Sequence, residues 1–98
     1  MANLHLQNED PAWVAAQQAG TRISPKGLAE KGWVGSEHLF KHVAGWQLQH
    51  CGHPTANYPW QLIAPNGQGV LIPAGRAWPR LAMAAAFVDA FIRAGRCL

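Results

Sequence analysis

The stretch that decides the fold runs from Gly45 to Ala94 and reads GWQLQHCGHPTANYPWQLIAPNGQGVLIPAGRAWPRLAMAAAFVDAFIRA. Trp46 to His50 alternate apolar and polar side chains, which is the period of a half-buried strand. Two more strands are predicted at Trp60 to Ile63 and at Val70 to Ile72. The Asn66-Gly67 pair between them is typical of a hairpin turn. This stretch therefore predicts a three-stranded antiparallel sheet.

A helix is predicted from Leu81 to Ala94, because this run contains no Gly or Pro and has apolar residues at helical spacing. The run is apolar nearly all the way round, which is typical of a helix that is covered on more than one side. We expect Met83, Phe87 or Phe91 to lie in an interface within the chain or between chains. An N-terminal helix, a second copy forming a homodimer through this helix, or a partner could supply the cover.

The N-terminal part of the chain is predicted to form short helices. Asp10 and Pro11 are a typical N-cap and first helical residue, and Gly20 would end the helix they begin. Ser24-Pro25 is a second such start, and Ser36 is predicted to cap a further helix over Glu37 to Val43. The fold class is thus α+β, a three-stranded antiparallel sheet with one long C-terminal helix, preceded by short N-terminal helices. The predicted organisation is a single domain over 1–98, with a tail at 1–10, short helices at 11–44 and the sheet-plus-helix core at 45–94.

Composition favours a protein that associates with a partner. Charged residues make up only 13% of the chain, against the roughly 25% usual for soluble domains. The net charge of +3 comes from scattered basic residues and does not demand a nucleic acid. No secretory-type leader and no membrane-length apolar run is present, so we expect a cytoplasmic protein without membrane contact and with two free thiols.

One face of the predicted sheet carries the candidate binding residues. If the C-terminal helix covers the face that contains Trp46, then Gln47 and Gln49 lie on the opposite, open face. The predicted contact residues on this face and at its edge are Gln47, Gln49, Trp60, Gln61, Arg76 and Arg80. The same layout resembles the three-stranded sheet plus helix of ethylene-response-type DNA-binding domains and of phage integrase arm-binding domains. That resemblance implies, as an alternative, a DNA-binding module that places its sheet in the major groove.

Histidine and cysteine residues give a second alternative, a small zinc-binding domain. His38 and His42 are four residues apart on the predicted helix, and Cys51 and His53 are two apart, so the four together are an acceptable zinc ligand set. The competing interpretation is that His50 and His53 are structural and hydrogen-bond the turn that follows, at its backbone or at Thr55. We expect no catalysis, because no third group orients a Cys51 to histidine pair, and we expect no cofactor.

A series of short elements resembles small uncharacterised proteins encoded in bacterial phages and prophages. In this chain the elements are Gly45-Trp46, His50 to Ala56, Tyr58-Pro59-Trp60, Pro65-Asn66-Gly67, Gly75 to Trp78 and Leu81-Ala82. The resemblance implies a mobile-element origin and stoichiometric binding to host machinery, including inhibition of CRISPR effectors. The sequence thus predicts a non-catalytic, anti-CRISPR-like binding protein whose partner is a host protein or ribonucleoprotein complex, with possible contact to nucleic acid.

Overall fold

A computed structural model describes residues 3–20 and 22–98 of the chain. Within these ranges the chain forms strands and helices that share one sheet and one hydrophobic core. In chain order the elements are β1 (Leu4–His5), α1 (Pro11–Gln17), α2 (Pro25–Glu30), β2 (Trp33–Ser36), β3 (Leu39–His42), β4 (Gln47–His50), β5 (Trp60–Ile63), β6 (Gly69–Leu71) and α3 (Leu81–Arg93). None of these helices combines the length and the apolar character needed to cross a membrane.

The six strands form a single sheet in the order β1-β6-β5-β4-β3-β2. All neighbours are antiparallel except β1 and β6, which are parallel. The three predicted strands correspond to β4, β5 and β6, and the predicted helix corresponds to α3. The mixed α+β class with short N-terminal helices and a C-terminal helix is confirmed. The predicted count of three strands is wrong, because the sheet is extended at both ends.

The predicted helix over Glu37 to Val43 is instead a β-hairpin. β2 pairs with β3 from Trp33 opposite His42 to Ser36 opposite Leu39. Trp33 is buried, while Val34 beside it is exposed, so the side chains of β2 follow a period of two and not of 3.6. Pairing with β4 and burial of the Trp33 ring override the weak local signal for a helix.

The predicted tail contributes the other additional strand. Leu4–His5 pairs with β6, and Leu6, which follows, is only 5% exposed. The main-chain N–H of Leu6 also donates to the carbonyl of Leu71 at 3.0 Å. The prediction of a tail is therefore wrong for residues 4–6, and residues 1 and 2 lie outside the described ranges. Leu4 and Leu6 are the reason, because they alternate with polar residues and bury apolar area on the sheet.

Three loops of the sheet share one construction, in which a glycine is the last of three loop residues. In the loop between β5 and β6, Gly67 N–H donates to the Ala64 carbonyl at 2.9 Å and Ala64 N–H donates to the Gln68 carbonyl at 2.8 Å. Gly67 has a φ of 89°, which a residue with a Cβ rarely adopts. The same pair of bonds closes the loops at 42–46 and 72–76. The hairpin predicted at Asn66-Gly67 is thus confirmed, with three loop residues and not two.

α1 and α3 pack against each other and cover one face of the sheet, here called the inner face. The side chains of Met83, Phe87 and Phe91 on α3 are 8%, 0% and 2% exposed. Phe91 and Phe87 contact the Trp46 ring, at centroid distances of 5.3 and 6.2 Å. The expected interface of α3 therefore lies within the chain, and a homodimer is not needed to cover this helix.

Trp78 lies at the centre of the core and joins its layers. The side chain is fully buried, and its Nε1–H donates to the Val70 carbonyl at 2.9 Å. Its ring contacts Trp13 of α1 at 5.8 Å and Phe87 of α3 at 5.2 Å. The indole thus fills apolar space between the helices and the sheet while its one polar atom is satisfied.

Two of the three predicted N-terminal helix starts, Asp10 and Ser24, are confirmed. Asp10 accepts a hydrogen bond from Ala12 N–H at 2.9 Å, and Ser24 accepts one from Gly27 N–H at 3.0 Å. Asp10 also forms a bidentate ion pair with Arg96, at 2.7 and 2.9 Å, which ties the start of α1 to the C-terminal residues. The hydrogen bonds from Arg96 hold the pKa of Asp10 below its ordinary value of 3.8.

This ion pair predicts a pH-dependent contribution to stability. Because the pKa of Asp10 is lower in the folded state, the stabilisation is present above about pH 4 and is lost as the pH falls through the folded-state pKa. We expect Asp10→Asn, which keeps an N-cap side chain, to lower the free energy of unfolding by about 1 kcal/mol at pH 7. The difference from wild type should shrink as the pH falls below the ordinary carboxyl range and Asp10 becomes protonated, which urea titrations at a series of pH values can measure. Glu9→Gln is the matched control, and an equal loss in that variant would contradict the assignment.

Candidate binding site: the open sheet face and an adjoining groove

The face of the sheet opposite the helices is open, as the sequence predicted. Trp46 and Leu48 are 2% and 0% exposed on the inner face, and the alternating residues Gln47 and Gln49 lie on the other side. Gln61 joins them from β5, since it is paired directly with Gln49. We call this surface the open face, and its side chains are those of His5, Val34, Ser36, Leu39, Lys41, Gln47, Gln49, Gln61, Ile63 and Leu71.

The register of the strands arranges these side chains in two rows across the sheet. One row runs through Leu39, Gln49 and Gln61. The other runs through Val34, Lys41, Gln47 and Ile63. The rows are linked where Gln49 Nε2 donates to Gln47 Oε1 at 3.3 Å.

The open face combines exposed aliphatic side chains with uncharged amides and carries little charge. Val34 is 71% exposed and Leu39 is 39% exposed. Lys41 is the one cation among the residues of this face, and none of them is Asp or Glu. Such a mixture of amide and aliphatic groups is suited to contact with the surface of another protein.

Trp60 does not belong to the open face, so its predicted role as an exposed contact is wrong. It is 8% exposed and lies on the inner face, where its ring contacts His50 at 5.0 Å and Phe40 at 5.9 Å. Successive residues of a strand point to opposite faces, so Trp60 and Gln61 cannot both face outward. The exposed position on this strand is Gln61 alone.

A groove of about 400 Å³ adjoins the open face where β4 and β5 meet the loop between them. The main chain closes this loop, since Cys51 N–H donates to the Pro59 carbonyl at 2.9 Å. Both strands contribute a Gln from the open face, and the loop contributes a thiol and a phenol. The groove is lined by Gln49, His50, Cys51, Tyr58, Pro59, Gln61 and Ala77.

The two predicted arginines lie in different places. Arg76 lies at the rim of the groove, where its guanidinium carbon is 5.3 Å from the centroid of the Tyr58 ring. Arg80 is the N-cap residue of α3 and makes no side-chain capping bond. Since α3 covers the inner face, Arg80 is on the helical side of the sheet. The structure therefore places Arg76 beside Tyr58 of the groove and Arg80 on the helical side.

The histidines beside the groove stabilise local structure. His50 Nδ1 accepts a hydrogen bond from Gly52 N–H at 2.9 Å, which fixes the start of the loop as the structural interpretation predicted. His53 contributes through its main chain, because its carbonyl accepts from Ala56 N–H at 3.2 Å. The His38 ring packs edge-on against His50 at 5.4 Å.

The structure does not assemble the alternative zinc ligand set of His38, His42, Cys51 and His53. His42 lies in β3, where its Nε2–H donates to the Lys31 carbonyl at 2.7 Å and its Nδ1 accepts from Ala44 N–H at 2.9 Å. Both ring nitrogens are thus occupied. Across residues 3–20 and 22–98, no group of three or more His, Cys, Asp or Glu side chains is placed to hold a metal ion. The helix on which the pairing of His38 and His42 depended is absent.

Sequence reasoning missed two exposed residues of the open face, Val34 and Leu39. The available signals were the β-branched and aromatic pair Trp33-Val34 and the glycine that ends loop 42–46. Both were outweighed by Ser36, which is a typical helix N-cap. Correct assignment of the β2–β3 hairpin would have added both residues to the predicted face.

Comparisons of this chain with protein-family models, with curated proteins and with solved structures found no match. Function is therefore inferred from the chemistry and geometry of the open face and the groove.

Proposed function

We propose that this protein is a non-catalytic binding protein that acts by stoichiometric association with another protein through its open face. The observation that carries the proposal is a nearly uncharged surface on which Val34 is 71% exposed, while the opposite face of the same sheet packs against α1 and α3. Apolar groups and uncharged amides can be removed from water at little cost once their hydrogen bonds are matched. The resemblance to phage proteins suggests the partner class, a host protein or ribonucleoprotein complex such as a defence complex.

The charge distribution supports a protein partner over DNA. Affinity for DNA comes chiefly from phosphates neutralised by Lys and Arg. On the open face that role could fall only to Lys41, and Arg80 lies on the helical side. DNA binding remains the second candidate, because a Gln side chain such as Gln61 can pair with adenine in the major groove.

One substitution has opposite expected effects for the two candidates. Val34→Lys adds a cation at the most exposed apolar residue of the open face, outside the lining of the groove. We expect it to abolish capture of the host protein partner, because the charge would be buried unpaired in the interface. If the sheet binds DNA instead, the added cation should strengthen binding of a random duplex in a gel-shift titration at low salt.

The matched control is Gln17→Lys on the exposed surface of α1, which has the same change in charge. Capture should be measured with tagged protein expressed in a bacterial host, and the complex should elute at a fixed stoichiometry in size-exclusion chromatography with light scattering. Equal loss of partner in both variants would show a general charge effect and contradict the proposed surface. Salt-sensitive duplex binding that is enhanced by Val34→Lys would establish the DNA candidate.

A further inference from the structure

The path of the chain after β6 places a cation beside the groove. Loop 72–76 turns the chain back, and Trp78 then pairs with Trp60 through two main-chain hydrogen bonds of 2.8 and 3.1 Å. The intervening residues Arg76 and Ala77 are thereby held against the groove, of which Ala77 forms part of the wall. The Ile72 N–H donates to the Arg76 carbonyl at 3.0 Å and fixes the main chain of the arginine.

The guanidinium of Arg76 is positioned but carries no anionic partner. It lies 5.3 Å from the centroid of the Tyr58 ring, a cation–π arrangement that limits its rotamers while leaving its N–H donors free to bind. Among the described residues the ion pairs use the carboxylates of Asp10 and Asp89, neither of which pairs with Arg76. A guanidinium held in this way is suited to bidentate binding of a carboxylate.

We propose that the groove binds an acidic side chain of a protein partner, with its carboxylate on Arg76 and its main chain against the amides of Gln49 and Gln61. This inference rests on the proposed function and specifies the chemistry of the partner. Charge complementarity supports it, because neither the open face nor the groove wall contains Asp or Glu. The volume of about 400 Å³ is large enough for a side chain and adjoining main chain.

An acidic protein segment fits these groups better than a nucleic acid does. A nucleic-acid strand presents a series of phosphates and needs several cations along its track. Lys41 and Arg76 are the cations that the open face and the rim of the groove offer. A peptide segment with one carboxylate can pair with the single guanidinium of Arg76, and its main-chain amides can hydrogen-bond the two glutamine side chains.

The inference is tested with the isolated protein and three probes. Two are terminally blocked peptides, hexaglutamate and hexaglutamine, and the third is the hexanucleotide dT6. We expect hexaglutamate to give saturable shifts of the side-chain amide signals of Gln49 and Gln61 in NMR titrations at 50 mM salt. Hexaglutamine and dT6 should bind at least tenfold more weakly. Arg76→Gln should weaken hexaglutamate at least tenfold, and Tyr58→Leu should weaken it several-fold by releasing the guanidinium.

Lys26→Gln, on the exposed surface of α2, is the control with the same loss of charge, and its affinity should stay within twofold of wild type. Equal binding of hexaglutamate by Arg76→Gln and wild type would overturn the inference, as would tighter binding of dT6 or no hexaglutamate binding by wild type. Val34 is not part of the groove, so the capture experiment with Val34→Lys distinguishes failure of the groove from failure of the proposed function. Arg76 and Tyr58 are exposed, and thermal melts should confirm that both variants fold.

Discussion

Phe87→Ala is expected to lower the free energy of unfolding by about 3–5 kcal/mol, a large part of the roughly 5–15 kcal/mol available to a chain of this size. Phe87 is 0% exposed and contacts three other rings, those of Trp46, Trp78 and Phe91. The substitution removes buried apolar area and leaves a cavity between α3 and the sheet, which rigid aromatic neighbours cannot fill.

Ile92→Ala on the same helix is the matched control, since Ile92 is 36% exposed. We expect it to cost less than about 1 kcal/mol. Both variants can be compared by urea denaturation followed by tryptophan fluorescence. A loss below about 1.5 kcal/mol for Phe87→Ala would contradict the packing of α3 on the inner face and reopen the possibility of a helix-mediated dimer.

The elements that could be predicted from the sequence are those whose local sequence signals agree with the tertiary structure. Trp60–Ile63 is found at its predicted bounds, and α3 differs from its prediction by one residue at its end. Asp10 and Ser24 cap their helices as predicted, because an N-cap depends on residues two or three positions away. In each case the deciding contacts join residues close in sequence, or the element is long enough for its hydrophobic periodicity to be clear.

The other half depended on contacts that local patterns do not encode. β1 has two residues and is stabilised by pairing with a strand more than sixty positions away. β2 and β3 have four residues each, too few for periodicity to separate a strand from a helix. Their turn at Glu37-His38 also lacks the glycine or asparagine that usually announces a two-residue hairpin.

The candidate site was predicted in part for the same reasons. Gln47, Gln49 and Gln61 lie on the open face because alternation along β4 and β5 is a local property. Trp60 was misplaced when this alternation was not applied between neighbouring residues. The position of Arg76 over Tyr58 depends on the pairing of Trp78 with Trp60, which has no signature in the sequence alone.

Gly35 explains how the β2–β3 hairpin closes without a typical turn. Neither Glu37 nor His38 has a positive φ, so the turn is not of the I′ or II′ type that normally matches the twist of paired strands. The two strands instead approach closely at Gly35, where an added Cβ would lie 2.1 Å from the Leu39 carbonyl oxygen and 2.8 Å from the Phe40 Cα. Both are main-chain atoms, which cannot rotate away as a side chain can.

We therefore expect Gly35→Ala to lower the free energy of unfolding by about 3 kcal/mol, since the hairpin must shift or separate to admit the methyl group. Gly20→Ala is the matched control, because a Cβ there would meet nothing nearer than the Arg22 carbonyl at 3.9 Å. That variant should be neutral or slightly more stable. Hydrogen exchange should show the loss of protection beginning in β2 and β3, because the clash is confined to that edge of the sheet. If Gly35→Ala were as stable as Gly20→Ala, the two strands could not be as close as the structure has them, and Val34 and Leu39 would lose their place on the open face.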